Sequence, residues 1–115
     1  MMQPKKLAEE AAGLLCEKKA DNVMVLDIAH LTSIADYFVI CSGRNTIQVR
    51  ALADDLADKL ALENILPLRK EGYSDSRWIV LDYASVIVHI FHEQEREYYS
   101  IERLWMDGSN LVKFE

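Results

Sequence analysis

The chain has 115 residues, half of them hydrophobic, with 28% charged and only six Gly and Pro together. That is the composition of one domain with a real core, and it excludes collagen-like, low-complexity and largely disordered chains. Thirteen Lys and Arg against nineteen Asp and Glu give a formal net charge of −6, which disfavours direct DNA or RNA binding and favours steering toward a basic protein surface.

Residues 4–20 predict a helix. Leu7, Ala11, Leu14 and Leu15 recur at helical spacing, Pro4 suits the start, and Lys18 and Lys19 suit the negative end. The β-branched run 23–28 predicts a strand, 29–36 a polar connector, and 37–42 a second strand whose uniform apolarity implies cover on both sides. Gly43 turns the chain. Asn45 then caps a helix, with Gln48 as its reciprocal partner. Val49, Leu52, Leu56 and Leu60 give that helix its apolar stripe, and Asn64 ends it.

Residues 66–70 predict a short edge strand containing Pro67, and 71–76 a turn around Gly72. The runs 77–82 and 86–92 predict an antiparallel hairpin. Period-2 alternation puts Trp78, Val80 and Asp82 on one face of their strand, and separates Val86, Val88 and Ile90 from Ile87, His89 and Phe91 on the next. Both faces are therefore largely apolar, and the second needs a helix, a second copy of the chain or a partner to cover it. Residues 94–105 predict a last helix, docked through Tyr98, Ile101 and Trp105, with Glu95, Tyr99 and Glu102 on another side. Two carboxylates flanking a tyrosine suit the reading of Arg or Lys on a basic partner.

The expected order is α-β-β-α-β-β-β-α: an α+β fold with a mixed sheet of about five strands and three helices, the 37–70 passage being a crossover between parallel strands. Residues 1–106 are expected to form the single domain, and 107–115 a loosely held polar tail.

Chemical motifs are sparse. Cys16 and Cys41 lie in apolar runs with no CxxC spacing, which reads as buried thiols of a reducing compartment. His89 and His92 are three apart, so on a strand they face opposite sides and cannot share a metal. Asp54 and Asp58 sit on the polar side of a helix, and no nucleophile elbow is present. Ser42-Gly43-Arg44-Asn45 joins a strand end to a helix N-terminus, where an anion can sit. It carries the alternative reading, a nucleotide-binding or nucleotidyltransferase-like enzyme. No leader or membrane-spanning run is evident, which points to the cytoplasm and away from the membrane.

These residues together resemble one family. Ser33-x-Ala35-Asp36-Tyr37-Phe38-Val39-Ile40, Ser42-Gly43, Gln48-Val49 and Ala53-Asp54 match its first half. Its second half is matched by Pro67 with Glu71-Gly72, then by residues 78–83 and 86–91, and by Arg96-x-x-Tyr99-x-x-Glu102-x-Leu104-Trp105. From about residue 5 to 106 the chain is similar to the Iojap or ribosomal silencing factor (RsfS) family. The resemblance implies a non-enzymatic factor without cofactor or metal, on a nucleotidyltransferase-like fold lacking the catalytic carboxylates. It implies binding to the large ribosomal subunit through the basic ribosomal protein uL-fourteen, blocking the small subunit from joining and repressing translation when nutrients are scarce. A homodimer is compatible with that role. The expected contact residues are Trp78, Tyr83, His89 and Phe91 of the hairpin, with Arg96, Tyr99 and Glu102 of the last helix.

Overall fold

A computed structural model describes residues 2–115. Helix α1 spans Pro4–Glu17, strands β1 and β2 span Asp21–Asp27 and Tyr37–Gly43, and helix α2 spans Thr46–Ala61. Strands β3, β4 and β5 follow at Arg69–Glu71, Trp78–Asp82 and Val86–His92. Helices α3 (Glu93–Tyr99) and α4 (Ile101–Trp105) precede strand β6 (Leu111–Phe114). The fold is α+β, as expected, but the mixed sheet has six strands in the order β3-β4-β5-β2-β1-β6. β2 pairs with β5 in parallel, and the other neighbours pair antiparallel. β2 and β3 do run the same way, yet β5 and β4 lie between them, so α2 crosses to the sheet edge.

The local chemistry explains the elements. Asn45 Oδ1 accepts the Gln48 N–H at 2.8 Å, and Gln48 Oε1 accepts the Arg44 N–H at 2.7 Å, so the α2 cap is reciprocal. α1 stops at Glu17, three residues early, because Lys19 turns left-handed at φ 67° and the Ala20 N–H reaches back to the Leu15 carbonyl. β3 starts later than expected, after Pro67, which lacks the N–H a ladder needs. Its three exposed charged residues guard the open edge.

One face of the sheet carries the larger core. Leu7, Leu15, Leu52 and Leu56 of α1 and α2 close over Val25, Val39, Ile79, Leu81, Val88 and Ile90. Each fully buried Leu or Ile contributes roughly 1.5–3 kcal/mol against conformational entropy. The other face carries a smaller cluster, Met24, Leu26, Phe38, Ile40 and Phe91, beneath Ile101 and Trp105 of α4.

Two expectations fail at the C-terminus. The last helix is broken at Ser100, which is left-handed at φ 45°. Its Oγ donates to the Glu97 carbonyl at 2.7 Å, which offsets part of the roughly 1–2 kcal/mol cost of that conformation. The break takes Tyr98 out of line with Ile101 and Trp105, so Tyr98 is exposed rather than docked. The stretch 107–115 is no loose tail, because β6 pairs with β1. Asn110 makes that possible: its Nδ2 donates to the carbonyls of Asp27 and Trp105, and its Oδ1 accepts the Asp107 N–H. Asp107 also meets His30 Nε2 at 2.6 Å, a bond that holds its carboxyl down at about 2.

Candidate functional site: the half-covered sheet face

β4 and β5 set the floor of the site. Their register pairs Trp78 with Phe91, Val80 with His89 and Asp82 with Ile87, all pointing away from α1 and α2. Gly72 permits the approach to β4. At φ 78°, a Cβ there would lie 2.0 Å from the Trp78 carbonyl oxygen, so only glycine fits. Trp78 stacks on Phe91 at 4.6 Å between ring centroids, and Tyr99 tilts over Trp78 at 5.0 Å. Phe38 meets His89 edge-on at 4.7 Å and Trp105 at 5.1 Å. α4 covers the β1–β2 side through Ile101 and Trp105 and α3 lies against β5 and β2, while Trp78, Val80 and Ile87 remain only half-buried.

The expected contact residues divide. Trp78, His89, Phe91 and Tyr99 come together on this face. Phe91 is 0% exposed and serves as floor, so it offers no surface to a partner. Tyr83 goes elsewhere: it is packed in the core under α1 and α2, where burial pushes its phenol up to about 12. Arg96 is consumed internally. Its Nη1 donates to the Ser42 hydroxyl at 2.9 Å and the Asn22 carbonyl at 3.0 Å, and its Nε donates to Glu102 Oε1 at 3.2 Å. Arg96 therefore ties α3 and α4 to the end of the sheet. Glu95 is likewise engaged, with Arg77 at 2.9 Å, so neither carboxylate flanking Tyr99 is unpaired.

Sequence reasoning missed two surface residues. Tyr98 is 80% exposed and Leu104 78%, against 47% for Tyr99. The Tyr98 and Tyr99 rings meet edge-on at 4.9 Å. Apart from the family pattern at Leu104, no sequence signal marks them, because the Ser100 break that exposes Tyr98 involves neither Gly nor Pro. His92 is also explained: its Nδ1 accepts the Gln94 N–H at 3.2 Å and caps α3.

His89 is the unusual group. Trp78 Nε1–H donates to its Nδ1 at 3.2 Å, and burial lowers its pKa to about 4. The ring is therefore neutral near pH 7.

The turn of the alternative reading is tied up in local bonds. The Ser42 hydroxyl accepts from Arg96, and the Arg44 and Gln48 N–H groups serve the α2 cap. The two thiols carry raised pKa values, Cys41 through burial to about 12 and half-buried Cys16 through burial and its hydrogen bond to Glu115 to about 11. Among the described residues no three His, Cys, Asp or Glu converge as metal ligands, and no helix is long and apolar enough to cross a membrane.

A sequence model of the family described as ribosomal silencing factor during starvation, RsfS, matches residues 1–115. The chain belongs to the RsfS family. It is 37% identical over 107 residues to the ribosomal silencing factor RsfS of Bacillus subtilis, covering 93% of this chain and 91% of that one. The RsfS of Halalkalibacterium halodurans is 39% identical over 110 residues, covering 96% and 94%. A crystal structure of a Chromobacterium violaceum protein superposes with a TM-score of 0.87 at 29% identity, covering 97% of this chain and 95% of that one. The RsfS match runs through β6, so the last residues, which motif reading left outside, belong to the family pattern.

Proposed function

We propose that this chain represses translation by occupying the large ribosomal subunit where the small subunit docks, with the basic ribosomal protein uL-fourteen as its contact. The observation that carries the reading is the half-covered sheet face: an aromatic ledge of Trp78, Tyr99 and Tyr98 in mutual ring contact, with the exposed Leu104 of α4, on a chain of net charge −6. Large, rigid aromatic side chains are common anchors of protein interfaces, and an acidic body is steered toward a basic partner. The membership in a ribosomal silencing family supports the ribosome as the target.

The mechanism is steric. An interface of standard size takes about 800 Å² from each partner, roughly an eighth of the 6508 Å² surface of this chain. The nucleotidyltransferase-like fold serves here as a scaffold without catalytic carboxylates, in the cytoplasm, and silencing answers nutrient limitation. Phe91 and Arg96 stand behind the ledge as support, Tyr83 belongs to the core of the opposite face, and Trp78, His89, Tyr99 and Glu102 with Tyr98 and Leu104 form the contact.

The test is co-sedimentation with isolated large subunits, followed by addition of small subunits. The folded chain is expected to travel with the large subunit, to lower the yield of joined ribosomes, and to bind less well as salt rises. Folded protein that stays in the supernatant at low-micromolar concentration and moderate salt overturns the proposal.

A further inference from the structure

His89 holds a hydrogen-bond donor that no group among the described residues uses. The residue is 8% exposed, and its Nε2 is buried without a partner among those residues. The tautomer follows from its other nitrogen. An indole N–H can only donate, so the 3.2 Å bond from Trp78 Nε1 requires a lone pair on His89 Nδ1. The proton of the neutral ring is then on Nε2. The residues beside it across the sheet, Ile40 on β2 and Val80 on β4, offer no side-chain acceptor. The rings around it are Phe38, Phe91 and Trp78. A buried donor left unmatched is costly, and such groups concentrate where a partner completes them.

We propose that His89 Nε2–H is a specificity-determining donor of the docking face, and that it is met by a neutral carbonyl oxygen of the bound ribosomal protein. This rests on the docking function proposed above and adds to it which chemical group on the partner is read. A neutral acceptor suits the aromatic frame, because bringing a carboxylate among Phe38, Phe91 and Trp78 costs more desolvation than one bond to a neutral donor returns. Nε2 is enclosed in the free chain, so the rings around it must shift as the partner seats, while the bond from Trp78 Nε1 to Nδ1 is kept. The Trp78 indole thereby has two jobs: it presents a ring to the partner and orients the donor beneath.

Three variants and one spectroscopic measurement test this. His89→Phe removes the donor and keeps a ring. It takes an unmatched donor out of the interior but also removes the acceptor of Trp78 Nε1–H, so Tm is expected to change little, while binding to large subunits is expected to weaken about tenfold. His89→Gln, whose amide N–H lies near the position of Nε2, is expected to recover part of that affinity, and His89→Leu is expected to recover none. Nitrogen NMR of the wild-type ring is expected to show the Nε2–H tautomer, a readout that needs no variant to fold. An Nδ1–H tautomer overturns the inference. So does a Phe variant that binds as tightly as wild type. If the wild-type chain itself ignores large subunits, the docking function falls, and the partner assigned to His89 falls with it. If wild type binds and the Phe variant binds equally, only the role of His89 falls.

Discussion

Beneath α1 and α2, Ile79 and Leu81 of β4 and Val88 and Ile90 of β5 are fully buried within the larger hydrophobic cluster. On the opposite face of the same two strands, Trp78, Val80 and Ile87 are half-buried, and Trp78 Nε1–H donates to His89 Nδ1. The strands are shared, so the difference comes from the cover. Long helices with regular stripes close one side. Two short helices, joined at a left-handed serine and tethered by one buried arginine, close only part of the other. A closed face contributes stability, whereas a partly closed face of aromatic side chains leaves area that a partner can complete.

The largest effect on stability is expected on the closed face. Leu56→Ala empties a fully buried position of α2 and should cost about 2–5 kcal/mol, read by denaturant unfolding. A cost under about 1 kcal/mol means that the core can collapse around the gap, and the two faces then differ less in how tightly they are packed.

Next is the tether. Arg96→Ala removes the bonds to Ser42, Asn22 and Glu102 and should cost about 3 kcal/mol, less whatever solvent near the partly exposed Glu102 returns. Hydrogen exchange should then rise first in α3 and α4, while α1 and α2 stay protected. Uniform loss of protection across both faces counts against Arg96 as a local tether.

Acid should act through His89. The folded ring resists protonation down to about 4, whereas the unfolded ring takes a proton near its usual 6.5. Between those values the unfolded state binds more protons, so stability is full above about 6.5 and falls as pH drops toward 4. By pH 5 the loss from this one group should be about 2 kcal/mol. His89→Phe should flatten that part of the profile. An unchanged slope in the variant assigns the acid sensitivity to other groups.

How much of this contrast the sequence reveals depends on how local its causes are. The stripes Leu7–Leu15 and Val49–Leu60 and the capping pair Asn45 and Gln48 lie within single helices, so α1 and α2 are readable from spacing. The alternation in β4 and β5 correctly separates Ile79 from Trp78 and Ile90 from His89. The same arithmetic places Tyr83 with Ile79 and Leu81, away from Trp78, and only the family pattern suggested grouping it with the contact residues. β6 is opaque, because a four-residue strand after a polar turn is specified by pairing to β1 and by Asn110 bridging Asp27 and Trp105. The break at Ser100 is opaque too. Its αL conformation is held by the Glu97 carbonyl and the Arg96–Glu102 bridge, neither of which leaves a periodic trace.

The smallest change in stability is expected where the functional loss should be greatest. Tyr98 and Leu104 contribute almost nothing to the packed interior, so the double variant Tyr98→Ser, Leu104→Ser should shift unfolding by no more than about 0.5 kcal/mol at each site. Side chains that are costly to leave in water when free, yet unused in the fold, are the ones a partner gains by covering. If the ledge is the docking surface, that variant should keep its melting curve and lose tenfold or more in affinity for large subunits, read by sedimentation. Leu62→Ser, at an equally exposed leucine after α2, is the matched control and should bind as wild type does. Equal losses in both variants trace binding to general stickiness, and equal retention moves the contact off the half-covered face.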